Sequence, residues 1–446
     1  MTTPDKSMNG KSSYLIRSVR TPDQELVDVR ITSGLISEIA PSQSLDSNES
    51  EIIEGAQLQL LPGLVDLHTH LREPGREDAE TVRTGSAAAA LGGFTAVHAM
   101  ANTDPVADTA GVVEQVVRLG REAGYCDVFA VGAVTQGLNG SELAELGAMA
   151  HSMAQVRVFS DDGKCVADSL VMRRALEYVK QFDGVIAQHA QDPRLTEMAQ
   201  MNEGVVSAKL GLTGWPAVAE EAIIARDVLL AEHVGARLHI CHVSTAGSVE
   251  IIRRAKARGI NVTAEVTPHH LLLTDQLAET YDPIYKVNPP LRTHADVQAL
   301  RVALADGTID IVATDHAPHP REAKECEWSE AANGMLGLEN ALSVIQESMI
   351  ESGLSNWSTI SERMSYAPAR IGRTNPSAGH GQEIKVGTLA NLILVDTKIR
   401  RKVREIKSVS KSKNNPYVER ELPGQVMFTF LRGEMIVANG ELVKPL

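Results

Sequence analysis

The densest run of reactive groups in the chain is Asp66-Leu67-His68-Thr69-His70-Leu71-Arg72. Side chains alternate along an extended strand, so Asp66, His68 and His70 are expected on one face. Two imidazoles spaced this way can grip one metal ion. The turn Arg72-Glu73-Pro74-Gly75 then sets a cation beside that ion. Further groups of the same kind recur far along the chain. They are Asp161-Asp162, His189, His239-Ile240-Cys241-His242 and Asp315-His316-Ala317-Pro318-His319. Either aspartate of the 161–162 pair could bridge two ions, and the other could cap the next helix. His239 and His242 have opposite parity on one strand. His242, at the strand end, is the expected site residue, and His239 is expected to pack under helices. His98 reads as a packed interior histidine, and Asn102 as a neutral hydrogen-bonding group.

These groups can act together only if a fold gathers them. Eight short apolar runs read as strands: Leu64–Thr69, Gly93–Ala99, Asp127–Val134, Gln155–Phe159, Gly184–Gln188, Arg237–Val243, Asn261–Val266 and Ile309–Thr314. Ala-rich, charge-patterned stretches with helical spacing separate them, and another follows near Leu338–Ile350. Several strands are continuous apolar runs, as parallel sheets require. Eight strand–helix units in about 300 residues predict a (β/α)8 barrel, whose sites sit at the carboxyl ends of the strands. No Gly-x-Gly-x-x-Gly follows the first strand, which argues against an open dinucleotide-binding sheet.

The flanks read as short strands with turns. Residues 14–60 carry YLIRSV, LVDVRIT and LISEIA, and residues 376–446 carry ANLILVD, VMFTFLRG and EMIVANGELV. They are expected to meet as one small β-sandwich around a barrel spanning residues 61–375. Residues 1–13 are expected to be a disordered tail. The basic, polar stretch at 400–416 reads as a solvated loop.

A net charge of −14 excludes a broad nucleic-acid footprint. No apolar run reaches the ~20 residues of a membrane span, and no signal peptide is visible. The four cysteines are dispersed, so free thiols in the cytoplasm are expected rather than disulfides. His68, His70, His189, His242, one strand-four aspartate and Asp315 all fall at predicted strand ends. Six ligands exceed the needs of one tetrahedral ion and favour two ions sharing a bridging carboxylate and a bridging water.

Taken together, Asp66-x-His68-x-His70-Leu-Arg72-Glu-Pro-Gly, Asn102-Thr-Asp-Pro, Tyr285-Lys-Val-Asn288-Pro-Pro-Leu-Arg and Asp315-His-Ala-Pro-His319 closely resemble the dihydroorotase family. The likeness is to the bacterial type with an aspartate bridge, within the amidohydrolase superfamily, and runs from about residue 14 to the end. It implies reversible, zinc-dependent cyclisation of N-carbamoyl-L-aspartate to dihydroorotate in pyrimidine biosynthesis. It implies two Zn2+ per subunit, bridged by Asp162 and by a water or hydroxide. His68, His70 and Asp315 would hold the first ion, and His189 and His242 the second. Asp315 would be the catalytic base. His70, Arg72, Asn102, Asn288, His319, Asn333 and Gly334 would contact substrate, Arg72 through its carboxylate. Where relatives commonly carry Pro-Phe-Gly, this chain has Ala332-Asn333-Gly334. The rivals are a dihydropyrimidinase, hydantoinase or allantoinase, and a non-catalytic paralogue. The resemblance leaves open a homodimer and an association with aspartate carbamoyltransferase.

Overall fold

The computed structural model describes residues 13–374, 376–404 and 408–446. The expected disordered tail lies outside these residues, except Ser13, which opens the strand Ser13–Arg20.

Eight parallel strands form the barrel: β1 Leu64–Thr69, β2 Phe94–Ala99, β3 Asp127–Ala130, β4 Val158–Phe159, β5 Val185–Gln188, β6 Arg237–Ile240, β7 Val262–Val266 and β8 Ile311–Val312. Pairing runs β1 to β2 to β3, and β4 through β8. A parallel bridge from Gly132 to Phe159 joins the two runs, and one from Thr69 to His316 closes the ring. Every residue of β1, β2 and β5 is buried. Their apolar side chains, Leu, Val, Phe, Ala and Ile, fit a sheet covered on both faces, and the polar ones, such as Asp66, His68 and Gln188, are buried beside them. The outer layer is helical. Thr81 caps the helix Val82–Leu91 by accepting from the Thr84 amide, and Asp168 caps Ser169–Val179.

The chain ends meet in one hydrogen-bonded sheet. Strands Ser13–Arg20, Leu26–Thr32, Leu35–Pro41, Glu51–Glu54 and Leu58–Pro62 come from one end. Leu392–Lys402, Glu421–Leu431, Glu434–Ala438 and Glu441–Leu442 come from the other. The join is antiparallel, with Leu392 opposite Pro62 and Asp396 opposite Leu58. Leu35 also bridges to Leu389, so the sheet curls back on itself. Its inner face holds Tyr14, Ile16, Val29, Ile31, Leu60, Leu392, Leu394 and Phe430. The Tyr14 and Phe430 rings meet edge to face at 5.3 Å.

The 400–416 stretch departs from expectation. Residues 400–402 continue a strand, and Ser410, Ser412, Asn414 and Asn415 are buried rather than solvated. Residues 405–407 lie outside the described residues. The cause is the buried carboxylate of Glu80, which accepts from Ser410 Oγ and from the Lys411 amide at 2.9 Å. Ser412 Oγ bonds the Ala79 carbonyl at 2.6 Å. An ionised group in the interior needs such donors, and a polar loop supplies them.

Candidate active site

At the carboxyl ends of the strands the structure gathers His68, His70, Asp162, His189, His242 and Asp315, all buried. Asp162 stands at the centre. Its Oδ2 lies 3.2 Å from His70 Nε2 and 3.4 Å from His68 Nε2. Its Oδ1 lies 3.2 Å from both His189 Nδ1 and His242 Nε2. Asp315 Oδ1 faces only the first pair, at 3.1 Å from His70 and 3.5 Å from His68. One carboxylate thus turns one oxygen to each pair of imidazoles.

The residues fit a metal. His68 Nε2 is fully buried and has no hydrogen-bond partner among the described residues, although it faces two carboxylates. Its other nitrogen, Nδ1, is committed to Glu265 Oε1 at 2.6 Å. An imidazole anchored this way presents a lone pair to a cation. Burial lowers the affinity of His68 for a proton, but Asp162, Glu265 and Asp315 together hold its pKa well above the usual histidine range. Asp315 shows the counterpart. Burial raises its pKa, yet His68 and His70 hold it down to about 2. A field that attracts protons this strongly also attracts metal cations.

The backbone is bent to make the cluster. Arg72, His242 and Asp315 have φ of 63°, 32° and 45°, in the left-handed region that non-glycine residues rarely adopt. Strand β6 stops at Ile240, so alternation does not carry on to His242. For that reason the parity expectation for His239 fails. His239 Nε2 bonds Glu265 Oε2 at 3.0 Å, and Glu265 also holds His68. His239 therefore lies inside the barrel beneath the cluster, not under helices. His98 is packed as expected, stacked on Phe129. Asp66 is buried outside the cluster and ties β1 to Thr314 through bonds to its amide and hydroxyl. Asp161 accepts from the Val134 and Thr135 amides at 2.8 and 3.0 Å, which commits it to a loop away from the imidazoles. Lys164 is exposed.

The other predicted residues rim the cluster. Asn102 Oδ1 meets His70 Nδ1 at 2.9 Å. Arg72 is 6% exposed, and its Nε donates to the Pro318 carbonyl at 3.1 Å. It forms no ion pair among the described residues. Desolvation, then the charge of Arg76, pull its pKa down to about 10. His319 Nε2 bonds the Asn333 carbonyl at 2.8 Å. Gly334 has φ of 148°, and a Cβ there would sit 2.8 Å from His319 Nε2. Gly75, at φ 94°, lets the Arg72-Glu73-Pro74-Gly75 turn pack directly on the Asp104 backbone. Asn288 Nδ2 donates to Gln191 Oε1, while its Oδ1 is buried without a partner among the described residues. Glu265 and Gln191 escaped the reading of strand ends. A charged residue inside the apolar run Val262–Val266 was the available signal for Glu265. Gln191, in a loop, gave none.

Comparison with known proteins agrees. The Dihydro-orotase-like family profile matches residues 58–248. The dihydroorotase of Streptomyces coelicolor is 64% identical over 97% of this chain and 100% of its own length. Those of Leifsonia xyli and Mycobacterium tuberculosis are 60% and 52% identical, over 97% and 96% of this chain and 98% and 99% of their own lengths. Among solved structures, the L-hydantoinase of Arthrobacter aurescens superposes with a TM-score of 0.85 at 24% identity, covering 97% of each chain. The dihydropyrimidinase of Brevibacillus agri gives 0.81 at 22% identity, covering 97% of this chain and 96% of its own. At these identities the structural neighbours establish the fold alone. On its curated relatives and its family profile, the chain belongs to the dihydroorotase family.

Proposed function

We propose that the chain catalyses the reversible cyclisation of N-carbamoyl-L-aspartate to (S)-dihydroorotate and water. The observation that carries this reading is Arg72, a buried guanidinium with no carboxylate partner among the described residues, at the rim of the His/Asp cluster. A guanidinium binds a carboxylate with two parallel hydrogen bonds. Dihydroorotate offers one on its ring. Dihydrouracil, hydantoin and allantoin do not.

His68, His70 and Asp315 are assigned to one ion, His189 and His242 to a second, and Asp162 to both. Zinc suits this mixture of imidazole and carboxylate donors. Bound there, two zinc ions would lower the pKa of a shared water toward about 7 and polarise the ring carbonyl.

The remaining chemistry belongs to the chain. Asp315 is ionised at neutral pH and lies beside both first-site imidazoles. In ring opening it accepts the proton of the attacking water and delivers it to the departing ring nitrogen. In closure it takes that proton from the carbamoyl nitrogen and returns it to the departing oxygen. Arg72 holds the carboxylate, while Asn102, Asn288, His319 and the Asn333-Gly334 backbone fix the ring. Closure converts a dianion to a monoanion and consumes a proton, so lower pH favours the ring.

A substrate panel tests the reading. Ring opening of dihydroorotate, dihydrouracil, hydantoin and allantoin is compared with one preparation. Turnover of dihydroorotate alone, or in large excess over the rest, is expected. Activity on dihydrouracil without dihydroorotate would overturn the substrate and leave the metal site standing.

A further inference from the structure

Gln191 lies between the second imidazole pair and Asn288, and hydrogen-bond bookkeeping fixes its orientation. The Thr196 hydroxyl is 2.9 Å from the Asp192 carbonyl. A carbonyl oxygen only accepts, so the single hydroxyl proton is committed there. Toward Gln191, 2.8 Å away, the Thr196 oxygen can then only accept. Gln191 must turn its amide nitrogen to Thr196 and its Oε1 to the opposite side. That oxygen meets two groups, His189 Nε2 at 2.7 Å and Asn288 Nδ2 at 3.1 Å. Both must donate to it.

Two consequences follow from one acceptor. In the neutral form that a metal ligand requires, His189 carries its proton on Nε2, so Nδ1 offers a lone pair toward Asp162 Oδ1, 3.2 Å away, and His242 Nε2, 2.8 Å away. Lone pairs facing one another at such distances are reconciled by a cation. Asn288 has its nitrogen engaged and is left with Oδ1, which is buried and has no partner among the described residues. A buried acceptor without a partner is costly, and a donor on the ligand removes that cost.

We propose that Gln191 is a positioning residue that couples the second metal position to substrate recognition. It fixes the tautomer of His189 and orients Asn288 to accept an N–H of the substrate, with Thr196 as its lock. The Asn288 half rests on the dihydroorotase reading, since dihydroorotate carries ring N–H groups. The His189 half needs only the metal.

The test compares Q191L, Q191E and T196V, each as full-length, metal-loaded protein, with two readouts. The first is zinc affinity by competition with a chromogenic chelator. The second is KM for dihydroorotate. Q191L is expected to weaken zinc binding about 10- to 100-fold and to raise KM about tenfold. Q191E keeps an acceptor for both partners and is expected to restore zinc affinity. T196V frees the amide to flip and is expected to shift both readouts in the direction of Q191L. A purely structural role would lower the melting temperature and leave both unmoved. Folded Q191L with zinc affinity and KM each within twofold of the parent overturns the proposal. So does a change confined to one of the two, because the claim is that they are coupled. If Q191L does not fold, T196V carries the same test with the same reversal. If the parent protein does not open dihydroorotate, the substrate assignment fails, and zinc affinity alone still judges the His189 link.

Discussion

Arg72 is held by its backbone and by one Nε bond to Pro318, with no ion pair among the described residues. The R72K variant keeps the charge but loses the planar fork. It is expected to raise KM and lower turnover at least tenfold while zinc content stays normal, read by steady-state kinetics and metal analysis. Unchanged kinetics would remove Arg72 from the substrate. Glu265 acts one step back, holding His68 Nδ1 at 2.6 Å and His239 Nε2 at 3.0 Å. The E265Q variant retains an acceptor but loses the charge that strengthens it. Zinc affinity is expected to fall about 10- to 100-fold with KM little changed, and equal chelator competition by parent and variant would contradict that. The six clustered residues were legible in the sequence because strand ends point into one space and five barrel strands supply them. His239 was misread because alternation holds only as far as the strand does, and β6 ends at Ile240.

Elements outside the barrel also shape the site. Asn414, in the segment expected to be solvated, is 3% exposed. Its amide donates to the Ala317 and Gly334 carbonyls at 2.9 and 3.1 Å, and its Oδ1 accepts from the His319 amide at 3.2 Å. One side chain thus joins the loop after β8 to the loop carrying Gly334. N414L, of similar size, takes the partner from the Ala317 carbonyl and the His319 amide, while the Gly334 carbonyl keeps Lys324 Nζ at 3.1 Å. KM is expected to rise about tenfold or more with zinc affinity intact, and a parent-like KM would show that the two loops hold without it. The helix Val218–Val234 contributes differently. Its Asp227 is fully buried and accepts from Gln188 Nε2 at 2.8 Å, next to His189. Burial, opposed by Arg226, raises its pKa to about 6 from 3.8. The folded state therefore binds a proton more tightly than the unfolded chain. Stability from this group is full below pH 4 and is lost as pH rises through about 6, by roughly 3 kcal/mol at most. D227N is expected to flatten that decline, measured by denaturant unfolding at pH 4, 5 and 6. An unchanged slope would assign it to other groups. The sequence displayed β7 and its neighbours through their apolar runs, whereas the 408–416 segment, polar apart from Val409 and Pro416, displayed nothing. Its burial depends on a partner, Glu80, some 330 residues earlier.

At the scale of the whole molecule, the two flanks of the barrel are one structure. Leu392–Asp396 supplies the antiparallel neighbour of Leu58–Pro62, and Leu60 packs with Leu392 and Leu394. That the flanks are strands was legible from their alternation and glycine turns. Which strand pairs with which was not, since register between distant segments depends on packing and leaves no local trace. Deleting residues 376–446 is expected to give an insoluble, inactive chain, checked by soluble yield and dihydroorotate ring opening. A soluble, active barrel would show that the flanks only decorate it. The pairing also bears on how the protein is made. On the ribosome, Leu58–Pro62 emerges long before its neighbour has been translated, and its open edge can recruit other strands. Asn414 arrives later still. Synthesis therefore completes this strand pair and the substrate loop only after every ligand of the cluster has been translated. A chain interrupted between residues 316 and 391 already carries its whole ligand cluster, yet lacks the strand that covers Leu58–Pro62 and the side chain that ties the substrate loop.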